Sequence, residues 1–249
     1  MRAYFFSTAK IKKVFAVFAS FCLVSFLLTS VLVKPAGVMS AQSKPHAIYK
    51  VKTNKKVAAL TFNISWGTRV PGPVLDTLKK QGVKATFFVS GSWAKKYPEL
   101  ARRITAEGHE IGSNGDRQIN LSSETKSTVK EELAKSREYI KEVTGNTATL
   151  LRTPYGDWND MVLAAAADSG YTVIQWSVDS QDIQTPGKNN IVNNVVKKVH
   201  PGAIILMYAS DTASETPDSL PSVIEGLKAE DYELVTVSSL LKLGPGVFD

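Results

Sequence analysis

The chain has 249 residues, 43% hydrophobic and 21% charged, the composition of an ordinary globular protein long enough to bury a substantial core in one domain. Its formal net charge of +7 would suit a nucleic-acid partner, but Arg2, Lys10, Lys12, Lys13, Lys34 and Lys44 lie in residues 1 to 46, which hold no acid. Without those six, 24 basic residues face 23 acidic ones, so the rest of the chain is close to neutral and no nucleic-acid footprint is left.

The first element is an uncharged run of twenty residues from Val14 to Val33, preceded by Lys10, Lys12 and Lys13. That is the length and the basic flank of a membrane-spanning helix. A cleavable signal peptide has an apolar region of roughly 7 to 15 residues and small residues at its cut site; here the run is longer, and Met39-Ser40-Ala41 is only a fair site. Residues 1–34 are therefore expected to be a signal-anchor that makes a single pass of the cell membrane and leaves the rest on the extracytoplasmic side. Secretion after cleavage is the alternative. The only cysteine, Cys22, lies within the span, so the exported part has no disulfide. Residues 35–54, with Pro35, Gly37, Ser40, Gln42, Ser43 and Pro45, read as a tether.

From residue 55 to 241 short apolar runs alternate with amphipathic ones, the pattern of strands joined by crossover helices. Expected strands are Val57 to Phe62, Ala85 to Val89, Leu150 to Leu151, Thr172 to Trp176, Ala203 to Met207 and Glu233 to Val237. Trp93, Tyr97, Leu100 and Ile104 form one helical stripe, and Val129, Leu133, Ile140 and Val143 another. Gly82, Gly108 and Gly145 follow helices where a positive φ is wanted, and Pro71 and Pro73 suit a first turn. Residues 242–249 are left as a tail. Periodicity does not choose between an open doubly wound sheet and a barrel, but either places the site beyond the C-terminal strand ends.

Past those ends stand Thr61-Phe62-Asn63-Ile64-Ser65-Trp66-Gly67, the stretch Gly108 to Gln118, Arg152-Thr153-Pro154-Tyr155-Gly156, Asp179-Ser180-Gln181-Asp182, and Leu206-Met207-Tyr208-Ala209-Ser210-Asp211. In this order and spacing they resemble the five motifs of the NodB-homology polysaccharide deacetylases, carbohydrate esterases of family 4, over roughly Lys55 to Leu241. The first motif looks most like the sporulation branch. The resemblance implies an irregular (β/α) barrel and hydrolysis of the acetamide of N-acetylated amino sugars in peptidoglycan, chitin or related glycans. In that reaction a zinc-like ion, held by one aspartate and two histidines, activates water; a second aspartate is the base and a last-motif histidine the acid.

Carried over residue by residue, the base position holds Asn63 and the acid position Tyr208, while the metal positions hold Ile64, Asn114 and Gln118. An amide has no basicity at neutral pH, an isoleucine donates nothing, and a phenol with a pKa near ~10 is a feeble acid. No metal cofactor is therefore expected, although the family uses a divalent ion such as zinc. The supporting positions Arg152, Asp179, Pro154, Tyr155 and Gly156 are retained. With a neutral Asn63 before it, Arg152 is expected to pair with Asp179 or to be solvated. Asp116, Asp182, Asp211 and His109 are the candidate substitutes for lost groups, and His109 reads as structural. Trp66, Trp158 and Trp176, with Tyr155 and Tyr208, are candidates to stack on sugar rings, of which one or two are expected to reach a ligand.

The sequence thus implies an inactive, membrane-anchored, deacetylase-like protein of the envelope that binds or scaffolds peptidoglycan, connected with spore formation. Two rivals stand beside it: an active hydrolase of non-peptide C–N bonds, and an interaction protein with no glycan ligand.

Overall fold

The computed structural model describes residues 45–248. The expected membrane span at residues 14–33 lies outside them, and among the described residues no helix is long and apolar enough to cross a membrane. Everything from Pro45 onward belongs to one compact unit.

The centre of that unit is β2 (Val57–Ile64), eight residues that are all buried, as a strand covered on both faces requires. Parallel partners extend the sheet on either side: β3 (Thr86–Val89), β4 (Glu110–Ser113), β5 (Leu150–Leu151) and β6 (Thr172–Val173) one way, β8 (Ile204–Tyr208) and β7 (Val178–Asp179) the other. A further strand, β9 (Glu233–Val235), pairs with the start of β2. The sheet's two edges are the two ends of one segment. Ile174 N donates to Leu151 O at 2.8 Å and Ser177 N to Ile204 O at 3.0 Å, so residues 172–179 bond first to β5 and then to β8. The result is an irregular, barrel-like α/β fold.

Side-chain alternation along β2 divides the apolar residues between two cores. Leu60, Phe62 and Ile64 face the covering helices: α1 (Pro71–Gln81), α2 (Gly91–Lys96), α3 (Pro98–Ala106), α4 (Lys126–Thr144), α5 (Asp160–Asp168), α6 (Lys188–Val196) and α7 (Thr216–Ala229). Val57 and Ala59 face inward, with Phe88, Leu150, Ile174, Ile204 and the short α8 (Val237–Leu241). Thr61 and Asn63 continue the inward face to the C-terminal end of the strand.

Several expectations change. The stripe through Trp93 and Ile104 is two helices, because Pro98 lacks an N–H and holds Tyr97 out of the helical region at φ −127°, ψ 62°. The stretch Thr172 to Trp176 is strand only at its first two residues, and Glu110–Ser113, read as lying past a strand end, is itself β4. Residues 45–54 are not all tether, nor 242–249 a free tail. β1 (Lys50–Val51) pairs antiparallel with β10 (Gly246–Val247), Ala47 is buried, and Gln175 N donates to Ile48 O at 2.8 Å. The two ends of the unit clasp one another because each offers main-chain groups that would otherwise stand unpaired.

Candidate functional site

Beyond the C-terminal ends of β2, β4 and β8 lies a cleft of about 320 Å³, lined by Asn63, Ser65, Trp66, Asn114, Gln118, Tyr155, Ile183, Tyr208, Ser210 and Thr212. Its floor is organised by Arg152, which is completely buried. The guanidinium donates through Nη1 to Thr61 Oγ1 at 2.8 Å and Asn63 Oδ1 at 3.1 Å, through Nη2 to Gln175 O at 3.0 Å and through Nε to Ile174 O at 3.3 Å. Aromatic faces close the rest: its centre stands 4.2 Å from the ring of Phe88 and 5.6 Å from that of Trp176. Burial pulls its pKa down to about 9, against the opposing fields of Tyr208 and Asp179.

The expected Arg152–Asp179 salt bridge is therefore replaced by neutral oxygens and π faces, and the side chain is not solvated. Asp179 instead accepts from Gln181 N at 2.8 Å and shapes its own turn. Fixed dipoles and quadrupoles stabilise a buried cation where no carboxylate is within reach.

Asn114 donates from Nδ2 to the main-chain oxygen of Arg152 at 2.8 Å, and Gln118 donates from Nε2 to Asn114 Oδ1 at 2.9 Å. Tyr155 reaches over this pair, its hydroxyl 3.3 Å from Gln118 O. It does so from a left-handed backbone at φ 59°, a conformation that costs a non-glycine residue energy, and the residue is 67% exposed. Tyr208 forms the wall beside Asn63; burial, and next the nearby Asp179, push its phenol up to about 12.

Asn63, Asn114, Gln118 and Tyr208 thus meet in one cleft with Arg152 beneath them, but Ile64 does not join them. Once Asn63 points inward, alternation turns Ile64 to the helix side, where it is fully buried with Leu60 and Phe62, and Ser65 takes the cleft wall. Of the five aromatic candidates, Trp66, Tyr155 and Tyr208 line the cleft. Trp158 donates to the Tyr49 hydroxyl at 3.2 Å and packs on the core. Trp176 packs inside the barrel, against Gly156, where a Cβ would come within 2.8 Å of its ring. Pro154 is buried.

None of the substitute acids reaches the cleft. Asp116 accepts from Ser92 Oγ at 3.1 Å; Asp211 accepts from Arg69 N and Val70 N at 2.7 and 3.1 Å, fixing the start of α1. Asp182 lies behind the wall, accepting from Tyr208 N at 2.9 Å and Thr216 Oγ1 at 2.6 Å. His109 is buried at the other end of β4, taking a hydrogen bond from Ala85 N at Nδ1, 3.2 Å away. Ser65, Ile183, Ser210 and Thr212 were not singled out from sequence. Each lies within a few positions of a strand end, which is the signal that would have found them.

Residues 50–174 match the family model for polysaccharide deacetylases. The chain belongs to the polysaccharide deacetylase family. It is 35% identical to the peptidoglycan-N-acetylglucosamine deacetylase PgdA of Listeria monocytogenes, over 88% of this chain and 48% of that protein. To the peptidoglycan-N-acetylmuramic acid deacetylase PdaA of Bacillus subtilis it is 32% identical, over 80% of this chain and 76% of that one. The chain spans 64% and 48% of the length of two of the curated relatives it matches. Among solved structures it resembles a pseudoenzyme of carbohydrate esterase family 4 from Bacillus anthracis, with TM-score 0.75 and 31% identity over 79% of this chain and 69% of that one. A mutant of that pseudoenzyme has restored enzymatic activity.

The family uses a divalent metal. The donors present here do not fit one: Asn114 Oδ1 is already engaged by Gln118, both are neutral amides, and Ile64 faces the opposite core. Among the described residues no group of three or more His, Cys, Asp or Glu is placed to hold an ion.

Proposed function

We propose that this chain is a catalytically silent polysaccharide deacetylase that holds an N-acetylated glycan of the cell envelope, peptidoglycan foremost, in the cleft between Trp66, Tyr155 and Tyr208. The observation that carries this reading is the chemistry of the cleft floor. Every group at the expected base, acid and ligand positions is uncharged at neutral pH, while two aromatic residues on the rim, Trp66 and Tyr155, remain 49% and 67% exposed. A site that can neither hold a hydrolytic metal nor move a proton, yet keeps faces on which sugar rings stack, is suited to binding. Anchoring by residues 14–33 is part of the proposal, because a protein that only binds has to be kept where its binding matters. A role in spore formation follows from the form of the first motif and would appear as altered spore peptidoglycan on deletion of the gene.

The reading is tested on purified residues 45–249 with zinc supplied. Retention on sedimenting peptidoglycan without stoichiometric metal or sustained acetate release is the expected result, with retention reduced in Trp66→Ala and Tyr208→Ala. Sustained acetate release with bound metal would establish the hydrolase that the names of the relatives suggest. Absence of retention would leave an interaction protein without a glycan ligand.

A further inference from the structure

We infer that the clasp between β1 and β10 is a docking face for an anionic lipid bilayer, which seats the domain with its cleft turned away from the membrane. This rests on the anchoring part of the proposal above and gives the anchored domain an orientation. It is carried by where charge and exposed apolar surface lie.

Three segments meet at the clasp. Lys52 N donates to Pro245 O at 2.9 Å, Val51 N to Gly202 O at 2.9 Å and Gly202 N to Val57 O at 2.8 Å, so residues 45–56, 197–203 and 242–248 share one corner. Together they carry seven lysines, Lys50, Lys52 and Lys242 among them, and no acid. Lys44 and Asp249, which flank these segments outside the described residues, add one charge of each sign. After the leader the chain has 24 basic and 23 acidic residues; taking away the seven leaves 17 against 23. A domain that is neutral in sum is therefore polarised, with a basic clasp and an acidic remainder. All seven lysines are exposed, and among the described residues none of them pairs with a carboxylate.

A solvated patch of lysines would need no apolar groups, yet this one has them. Five large hydrophobic residues are exposed among the described residues: Trp66, Tyr155 and Ile183 line the cleft, and the other two, Leu243 and Phe248, belong to the clasp. Leu243 precedes Gly244, whose backbone abuts Lys52 O; Phe248 follows Val247, the partner of Lys50, and stacks on His46. Ammonium groups around a phenylalanine and a leucine suit a lipid headgroup layer, where phosphates meet the charges and the apolar groups enter the acyl boundary. The polypeptide also enters the domain here, at Pro45, with eleven residues between it and the end of the expected span at Val33. Such a link reaches at most about 40 Å, so the clasp is the part held nearest the bilayer, and a weak contact suffices at that effective concentration. The clasp adjoins the N-terminal ends of β2 and β8, whereas the cleft lies beyond their C-terminal ends. The eight residues of β2, roughly 25 Å of strand, separate the two, so docking points the cleft outward.

The test is sedimentation of residues 45–249, the compact unit that holds both cores, with vesicles of phosphatidylcholine alone or mixed with phosphatidylglycerol. Binding to the anionic vesicles is expected to be roughly tenfold or more tighter at low salt, and to be largely lost at about 0.5 M salt. Lys50→Gln combined with Lys52→Gln should weaken it roughly tenfold, and Phe248→Ser several-fold, with an unchanged melting profile as the control for folding. Retention on peptidoglycan should stay as in the parent in both variants, since neither touches the cleft. Absence of a preference for anionic vesicles, or a preference that survives both variants, overturns the inference. Binding to soluble polyphosphate that matches the vesicles and ignores Phe248→Ser gives the face to an anionic polymer and overturns the lipid assignment. Residues 45–249 lack the expected span, so a leader found cleaved in cells would sink the anchor while leaving the vesicle result in place. Failure on vesicles with the full chain still in the membrane would sink the docking face alone.

Discussion

At the residue scale the unusual group is Arg152, a cation enclosed by the oxygens of Thr61, Asn63, Ile174 and Gln175 with no carboxylate among them. Asn63→Asp should therefore stabilise the protein, by about 1–2 kcal/mol at neutral pH. The new carboxyl, beside a guanidinium, would titrate below its unfolded value of about 4, so the gain is present above that pH and is lost as the pH falls through the depressed pKa. Urea unfolding at pH 7 and pH 3 checks this, and a variant no more stable than the parent at pH 7 contradicts it. Two other buried groups oppose one another. Burial raises Asp182 to about 6, although Thr216 and Tyr208 donate to it, so its contribution is fully present below about pH 4 and lost as the pH rises to 6. Burial, then the charge of Lys84, lowers His109 to about 4, so its contribution is complete above about pH 6.5 and lost as the pH falls to 4. The two nearly offset in the parent. Asp182→Asn should unmask a stability that rises between pH 4 and 6.5, and His109→Gln one that falls, each by on the order of 2 kcal/mol; parallel curves would show that neither group is coupled to folding. Sequence alone identified most of the cleft floor, because motif spacing carries side chains to strand ends. It misplaced Ile64, since a motif does not say which neighbour of an inward residue turns out. It also gave Arg152 the wrong partner, because main-chain oxygens and aromatic faces belong to no motif.

At the scale of elements, strands buried on both faces were legible as short apolar runs, and β2, β3, β5 and β8 lie where those runs are. The missed β4 has the wrong look for a physical reason. Glu110 starts it, and Gly112 sits where a Cβ would come within 2.8 Å of the Phe88 ring, so the position that should advertise the strand is bare. β1 and β10 were invisible because two-residue strands carry no period. Their pairing makes a prediction that a free tail would not. Truncation after Leu241 removes the acceptors of Tyr49 N and Lys52 N, Val247 O at 3.0 Å and Pro245 O at 2.9 Å, and should cost about 1–3 kcal/mol of stability. A thermal melt unchanged by the truncation would mean the clasp contributes nothing. Gly202→Ala attacks the same corner from the other side. With φ at 75° and a Cβ that would stand 1.9 Å from Val51 O, the backbone has to move, so the loss should exceed that of the truncation.

At the scale of the whole molecule, the proposed function assigns binding to the near-neutral domain and placement to the basic leader. Membrane fractionation that finds the full chain with the membrane supports the proposed anchor, whereas a mature protein beginning after Ala41 counts against it. The fold class was legible from the alternation of strands and helices, but its closure was not, because it depends on residues 172–179 serving two neighbours in turn. Such a segment has a temporal consequence. It has no docking place until β5 and β8 are both formed, although their positions are more than fifty residues apart in sequence, so its contacts belong to the last step of folding. Ile174→Val, a loss of about 1 kcal/mol at a buried position within it, should accordingly leave the refolding rate unchanged and speed unfolding roughly fivefold. The seam that completes the barrel would then set how long a folded copy survives.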